Sequence, residues 1–211
     1  MKITYQLGLP EPLRAEAVAL YWQAFGGKLG RVMGPNAKAH RFLTRVMRAQ
    51  HVIVALDDTG HLLGMAGFKT PAGSFAGGEI ADIRAIYGIL GTAWRLPLLW
   101  MLSDEAEPDH FLLDGICVAA AARNLGIGST LMALIEDQAR QRGYGSVRLE
   151  VVDSNGRAKA LYQRLGYREV KTQHLGLLRH AFGFRAAISM VKTLPPQDVH
   201  AWTSEQPAQN Q

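Results

Sequence analysis

Leu112-Leu113-Asp114-Gly115-Ile116-Cys117-Val118, followed four residues later by Arg123-Asn124-Leu125-Gly126-Ile127-Gly128-Ser129-Thr130, is the stretch that decides how this chain folds. The first seven residues form a short, largely apolar run that predicts a buried strand. The Gly-x-Gly that follows predicts a tight turn, and Leu131, Leu134, Ile135 and Ala139 recur at helical spacing over about Ser129 to Arg142. Residues with little side chain let successive backbone N–H groups converge on one spot. The first turn of a helix adds unpaired N–H groups and the positive end of its dipole. A strand, a glycine turn and a helix in this order predict a site for a phosphate or pyrophosphate.

Two familiar phosphate loops can be tested against it. A P-loop needs Gly, four residues, then Gly-Lys-Ser/Thr, and no lysine follows Gly128. The dinucleotide fingerprint needs a third glycine where Leu131 stands. An acidic residue at roughly the required distance does exist, as Glu150 or Asp153, which keeps a nicotinamide or flavin reading open.

Downstream, Val147 to Val152 is a nearly continuous apolar run and suits a central strand. Asp153-Ser154-Asn155-Gly156 predicts a turn that caps a short helix. Ala158, Leu161, Tyr162 and Leu165 share one face of that helix, Gly166 ends it, and Tyr167 to Thr172 opens another strand. A loop or ragged hairpin over His174 to Gly183 and a last strand over Phe184 to Lys192 follow.

These two blocks together resemble the GNAT superfamily of acyl-coenzyme A-dependent N-acyltransferases. The family's central signature, Arg/Gln-x-x-Gly-x-Gly/Ala, matches Arg123 to Gly128. Its second element is an Asn after the next strand, a Tyr seven residues later and a closing Leu-Gly-Tyr/Phe. Asn155, Tyr162, Leu165, Gly166 and Tyr167 stand in that order. The resemblance covers the third quarter of the chain.

It implies an α/β fold with a central, mostly antiparallel sheet that splays at the cofactor. It implies acetyl-CoA as donor, with coenzyme A as product, and an amine acceptor on a small molecule, peptide or protein. By matching position, the amides of Leu125, Gly126, Ile127, Gly128, Ser129 and Thr130 would bind the pyrophosphate, with Arg123 near the phosphates. The amide of Ile116 would meet the thioester oxygen, and Val118 the pantetheine arm. Asn155 would contact the same arm, and Tyr162 would give a proton to the leaving sulfur. Some family members place a Glu at the position of Glu150 as the base; among flanking apolar residues its carboxylate is expected to be desolvated. Asp114 is the second candidate base, and Glu79 and Asp82 are remoter ones.

The rest of the chain bounds this reading. With 211 residues, nearly half of them apolar, there is material for a sizeable core. The net charge of +5 is mild, and no basic run interleaves with aromatics, so neither nucleic acid nor membrane is expected as a partner. One cysteine, Cys117, excludes a disulfide within the chain, and it reads as a small buried residue. The N-terminal residues lack the apolar run of a signal peptide, so a cytoplasmic setting is expected. The seven histidines show no metal-ligand spacing.

Upstream, residues 2–7 predict a strand, and a helix opening at Pro10-Glu11-Pro12 is expected to stop at Gly26-Gly27. A second helix is expected over about Asn36 to Ala49. A hairpin follows, with strands His51–Leu56 and Leu62–Lys69 about the turn Asp57-Asp58-Thr59-Gly60. The glycine-rich 71–78 predicts a loop near substrate. Residues 80–107 carry an apolar insert before the fourth strand, expected as one or two buried helices kinked near Pro97. A lid, a substrate wall and a homodimer contact all stay open for it. Residues 1–194 are expected as one domain and 195–211 as a flexible tail.

Overall fold

The structure is a computed structural model that describes residues 2–101 and 109–195. The end of the insert (102–107) and nearly all of the expected tail lie outside the described residues. Eight strands form one open sheet: β1 (Thr4–Leu7), β2 (Val52–Leu56), β3 (Leu62–Thr70), β4 (Gly73–Ser74), β5 (Phe111–Val118), β6 (Ser146–Val152), β7 (Arg168–His174) and β8 (Ala186–Thr193). Their order is β1-β2-β3-β5-β6-β8-β7, with β4 paired to β3 off this path. Every neighbouring pair is antiparallel except β5 and β6.

The sheet is covered on both faces, which is why its central strands read as unbroken apolar runs. Along β2, Val52 and Val54 face one cluster while Ile53 and Ala55 face the other. The first cluster is roofed by α1 (Arg14–Met33), α2 (Asn36–Val46) and α3 (Ile80–Met101). The second is roofed by α4 (Ile127–Gln141) and α5 (Gly156–Arg164), with Leu131, Met132, Ile135 and Ala139 wholly buried against Phe111, Val147, Leu149 and Met190. Buried Glu136 ties α4 down: it accepts both ends of an ion pair from Lys192 of β8 at 2.7 and 2.8 Å and a bond from the Tyr167 hydroxyl at 3.3 Å.

Four sequence expectations are corrected. Helix α1 does not stop at Gly26-Gly27 but runs on to Met33. Two interior glycines weaken a helix by about 1 kcal/mol each, but Val32 and Met33 beyond them are buried and hold the last turns. Gly26 is also where a side chain would strike the Trp22 ring, since a Cβ there would lie 2.9 Å from it. Helix α2 ends at Val46 rather than Ala49, because Met47 turns extended. Helix α3 breaks at Gly88 and not at Pro97. Gly88 alone within it leaves helical geometry, at φ 71° and ψ 179°, a conformation only glycine adopts without strain. Nor is α3 buried all round: Ile89, Leu90 and Trp94 stand in solvent.

The loop after β3 is held by close backbone packing. The ring of Phe75, wholly buried, lies over Gly67 of β3, and a Cβ on Gly67 would sit 2.7 Å from Phe75 atoms. Gly67→Ala is therefore expected to lower stability by about 1–3 kcal/mol through overpacking, read as a lower urea midpoint with unchanged slope. An unaltered midpoint would mean that the 71–78 segment shifts freely and is not fixed by this contact.

Candidate active site

Strands β5 and β6 start together and then part. They share only two rungs, Phe111 with Val147 and Leu112 with Arg148. The cause lies on the other side of β5. Gly67 pairs with Gly115 and the next β3 residue, Phe68, pairs with Leu113, so Asp114 is an extra residue: a β-bulge. A bulge bends its strand and re-aims its side chain, and β5 leaves β6 from this point on.

The register then fixes which backbone groups line the gap. The Ala119 N–H donates to the Leu63 carbonyl at 2.8 Å, marking that pair as hydrogen-bonded. In an antiparallel ladder such pairs alternate, so Cys117 opposite Met65 also bonds to β3. The N–H and C=O groups of Ile116 and Val118 therefore point the other way, into the space vacated by β6.

A cleft of about 660 Å³ fills that space. One end is closed by Arg123, Asn124, Gly126, Ile127, Gly128 and Ser129, with Asn155, Arg157 and Tyr162 beside them. Asn124 and Gly126 both adopt positive φ, 68° and 78°, which folds the loop back on itself before the helix. The first helical N–H groups, of Ile127, Gly128 and Ser129, have no carbonyl one turn earlier within the helix to receive them. The Thr130 N–H does, donating to Gly126 at 3.1 Å, and Leu125 is exposed away from the cleft lining. The amides of Ile127, Gly128 and Ser129 are thus the helix-start N–H groups left without an intrahelical acceptor. Arg157 donates to Asn124 at 2.6 Å and braces the loop from α5.

Asn155 caps α5, its side-chain oxygen accepting the Ala158 N–H at 3.2 Å, and it also lines the cleft. Tyr162 is 4 % exposed, its ring packed on Tyr167 at 6.1 Å and its residue on the cleft wall. Burial holds its phenol far above the usual range, so it stays protonated at any working pH. Among the described residues none bonds its hydroxyl.

At the other end, Asp114 and Glu150 each lie two residues beyond the last shared rung, on opposite arms of the gap. Their surroundings differ. Glu150 is not desolvated as expected: its side chain is 31 % exposed, because it alternates onto the face away from α4. It accepts a bond from the Ser189 hydroxyl of β8 and lies 3.3 Å from the Arg148 guanidinium. Asp114 accepts the Ala76 N–H at 2.9 Å. Burial pushes its carboxyl up, against the opposing pull of the Ala76 and Phe75 amides and of the Lys69 and His51 charges. Of the remoter candidates, Asp82 pairs with Arg45 at 2.6 Å and Glu79 lies near Arg48, both off the cleft lining. Cys117 is buried with its thiol pushed up to about 12, which removes it as a nucleophile.

Ser74 and Gly77 of the glycine-rich loop line the cleft, whereas Arg179, His180 and Gly183 line a separate hollow. Sequence reading missed Ala24 and Phe25 of α1, Lys69 and Arg148 in the lining, and Ser189 behind Glu150. Arg148 was discernible, two residues before Glu150 on one strand. Ser189 meets Glu150 only through the β6–β8 register.

The cleft thus joins an unpaired strand edge, a helix start with N–H groups free of intrahelical acceptors and a protonated phenol, and comparison with known proteins gives the family. The family model for the acetyltransferase (GNAT) family matches residues 15–167, and the chain belongs to that family. A probable N-acetyltransferase camello of Xenopus tropicalis is 38 % identical over 94 residues, 44 % of this chain and 40 % of that protein. The streptothricin acetyltransferase of Streptomyces lavendulae is 36 % identical over 92 residues, 44 % of this chain and 48 % of that protein. The matched stretches thus span less than half of either relative. Among solved structures, a Corynebacterium glutamicum protein described as histone acetyltransferase HPA2 and related acetyltransferase aligns with TM-score 0.63 at 20 % identity. It covers 94 % of this chain and all of its own. An agmatine N-acetyltransferase aligns with TM-score 0.62 at 16 % identity, covering 92 % of this chain and all of its own. At such identities these two establish the fold alone.

The raised carboxyl of Asp114 has a sign that can be measured. The folded state disfavours its ionised form, so its stabilising contribution is full below the ordinary value of about 3.9 and is lost as pH rises through the raised folded value. Asp114→Asn is expected to be relatively most harmful in acid and neutral or stabilising at pH 7.5. Urea midpoints of both proteins across that window check it; a gap that widens with rising pH would contradict it.

Proposed function

We propose that the cleft binds acetyl-CoA along the free edge of β5 and passes its acetyl group directly to an amine held at the Asp114–Glu150 end. The observation that carries this is the unpaired β5 edge, Ile116 to Val118, running from two carboxylates to an open helix N-terminus with Tyr162 alongside. Family members in general use acetyl-CoA as donor. The residues here fit it: a two-ended cleft, an anion cradle at one end, and peptide groups free to pair with an amide-bearing arm along its length.

The donor supplies an acyl carbon activated as a thioester. The amides of Ile127, Gly128 and Ser129 hold the pyrophosphate, with Arg123 adding charge. The Val118 backbone and the free side-chain amide of Asn155 hold the arm. The Ile116 N–H donates to the thioester oxygen, where negative charge develops. Glu150 takes the proton of the amine, directly or through water. It is the better base of the two carboxylates because it is open to the cleft, whereas Asp114 is committed to the Ala76 and Phe75 amides. Tyr162 gives its proton to the departing sulfur, which its buried and protonated state suits.

The acceptor proposed is a primary amine on a small molecule or peptide. It arrives as an ammonium ion and finds two carboxylates, Asp114 and Glu150, at its end of the cleft. A cytoplasmic setting goes with this reading, as does a single domain over residues 1–194.

Calorimetric titration with acetyl-CoA, coenzyme A and NAD separates the classes of ligand: saturable binding of the first two without NAD is expected, and NAD binding alone would overturn the proposal. Tyr162→Phe is expected to lower kcat by about 10²–10⁴-fold with little change in acetyl-CoA affinity. Glu150→Gln should do the same and Asp114→Asn much less. The reverse order between the two carboxylates would transfer the base role to Asp114.

A further inference from the structure

The apolar insert, expected to be buried, turns a stripe of its surface outward. Of seven large apolar side chains exposed among the described residues, four lie on α3: Ile80 at 58 %, Ile89 at 67 %, Leu90 at 86 % and Trp94 at 48 %. Beyond the Gly88 break, residues 89, 90, 93, 94 and 97 share one helical face, and all five are exposed and apolar. This face is not a loosely held helix left open. On its inner side Arg95 donates to the Val32 carbonyl at 2.6 Å and the Gly34 carbonyl at 3.2 Å. The Arg95 guanidinium lies 4.1 Å from the Tyr87 and Trp94 ring centres, and Leu96 and Leu99 pack into the core. The outer stripe is therefore presented on a fixed support.

Beside it lies an unusually basic surface. Residues 17–56 contain six Lys and Arg and no Asp or Glu. Helix α2 packs on α3 through Phe42 and Tyr87, whose ring centres are 6.4 Å apart, and the Lys38 ammonium lies 5.9 Å from the same Tyr87 ring. Arg45 is answered by Asp82, and Arg48 lies near Glu79. Lys38 and Arg41 of α2 and Arg84 of α3 are exposed, and none pairs with a described carboxylate.

We propose that the outer face of α3, with the adjoining basic face of α2, docks on the surface of an anionic lipid bilayer. Apolar side chains with a Trp at headgroup depth and flanking cations are what such a surface binds. No helix among the described residues is long and apolar enough to cross a membrane, so α3 lies on the bilayer. Nucleic acid would use the cations but has no partner for Ile89 and Leu90. A two-fold contact with a second copy would bring two basic α2 faces together.

The test is co-sedimentation of the full 211-residue chain with vesicles of phosphatidylcholine alone and with about 30 % phosphatidylserine. The chain is expected to partition on the anionic vesicles and more weakly on the neutral ones. Leu90→Glu with Trp94→Glu should lower that partition about tenfold or more, with unchanged circular dichroism and acetyl-CoA binding. Lys38→Glu with Arg41→Glu should abolish the preference for phosphatidylserine. Val170→Glu, on the exposed edge strand β7, is the control and should change nothing. Absence of binding to either vesicle overturns the proposal, as does binding that survives the Leu90/Trp94 change. So does a dimer, seen by light scattering, that this double change dissociates, or tight binding of an RNA duplex that it leaves intact.

Discussion

The site depends on one irregularity in hydrogen bonding: the extra residue at Asp114. Without it β5 and β6 would continue as an ordinary parallel pair, each covering the other's peptide groups. With it their pairing ends after Leu112 and Arg148, and the backbone of Ile116 and Val118 is left facing a gap. An unpaired strand edge inside a sheet is costly unless something else satisfies it. Here the gap is an open cleft, so the Ile116 and Val118 peptide groups face water.

The two carboxylates show how position on one cleft separates environments. Asp114 is the bulged residue and turns toward the 71–78 loop, where backbone amides hold it and burial disfavours its charge. Glu150 belongs to a regular strand and alternates onto the open side, backed by a hydroxyl and a guanidinium. Tyr162 completes the contrast: its ring is fixed in the core beneath α4, so its hydroxyl stays protonated where it meets the cleft. A carboxylate, a protonated phenol and a line of amides are thereby held by rigid elements, which is what precise positioning requires.

Helix α3 obeys a different logic from the rest. Elsewhere most apolar residues point inward and the periodicity tells which. On α3 both sides are apolar, so composition alone suggested burial. Arg95 and Tyr87 decide the matter by fixing one side to α1 and α2, and the other side is left outward.

The chain's local chemistry determined much of this protein by itself. Glycines at 126 and 128, the cap at Asn155, the alternation in β2 and the helical spacing of Leu131 to Ala139 each specify conformation over a few residues. Together they marked the strand-turn-helix core, the family it resembles and most of the residues that line the glycine-turn end of the cleft. Long-range pairing decided what such signals cannot carry. The bulge at Asp114 exists only relative to β3, and the outward turn of Glu150 only relative to α4. Ser189 reaches Glu150 only because β8 inserts between β6 and β7. The persistence of α1 through Gly26-Gly27 and the break at Gly88 were likewise set by packing, because a glycine permits either outcome and burial of its neighbours chooses between them.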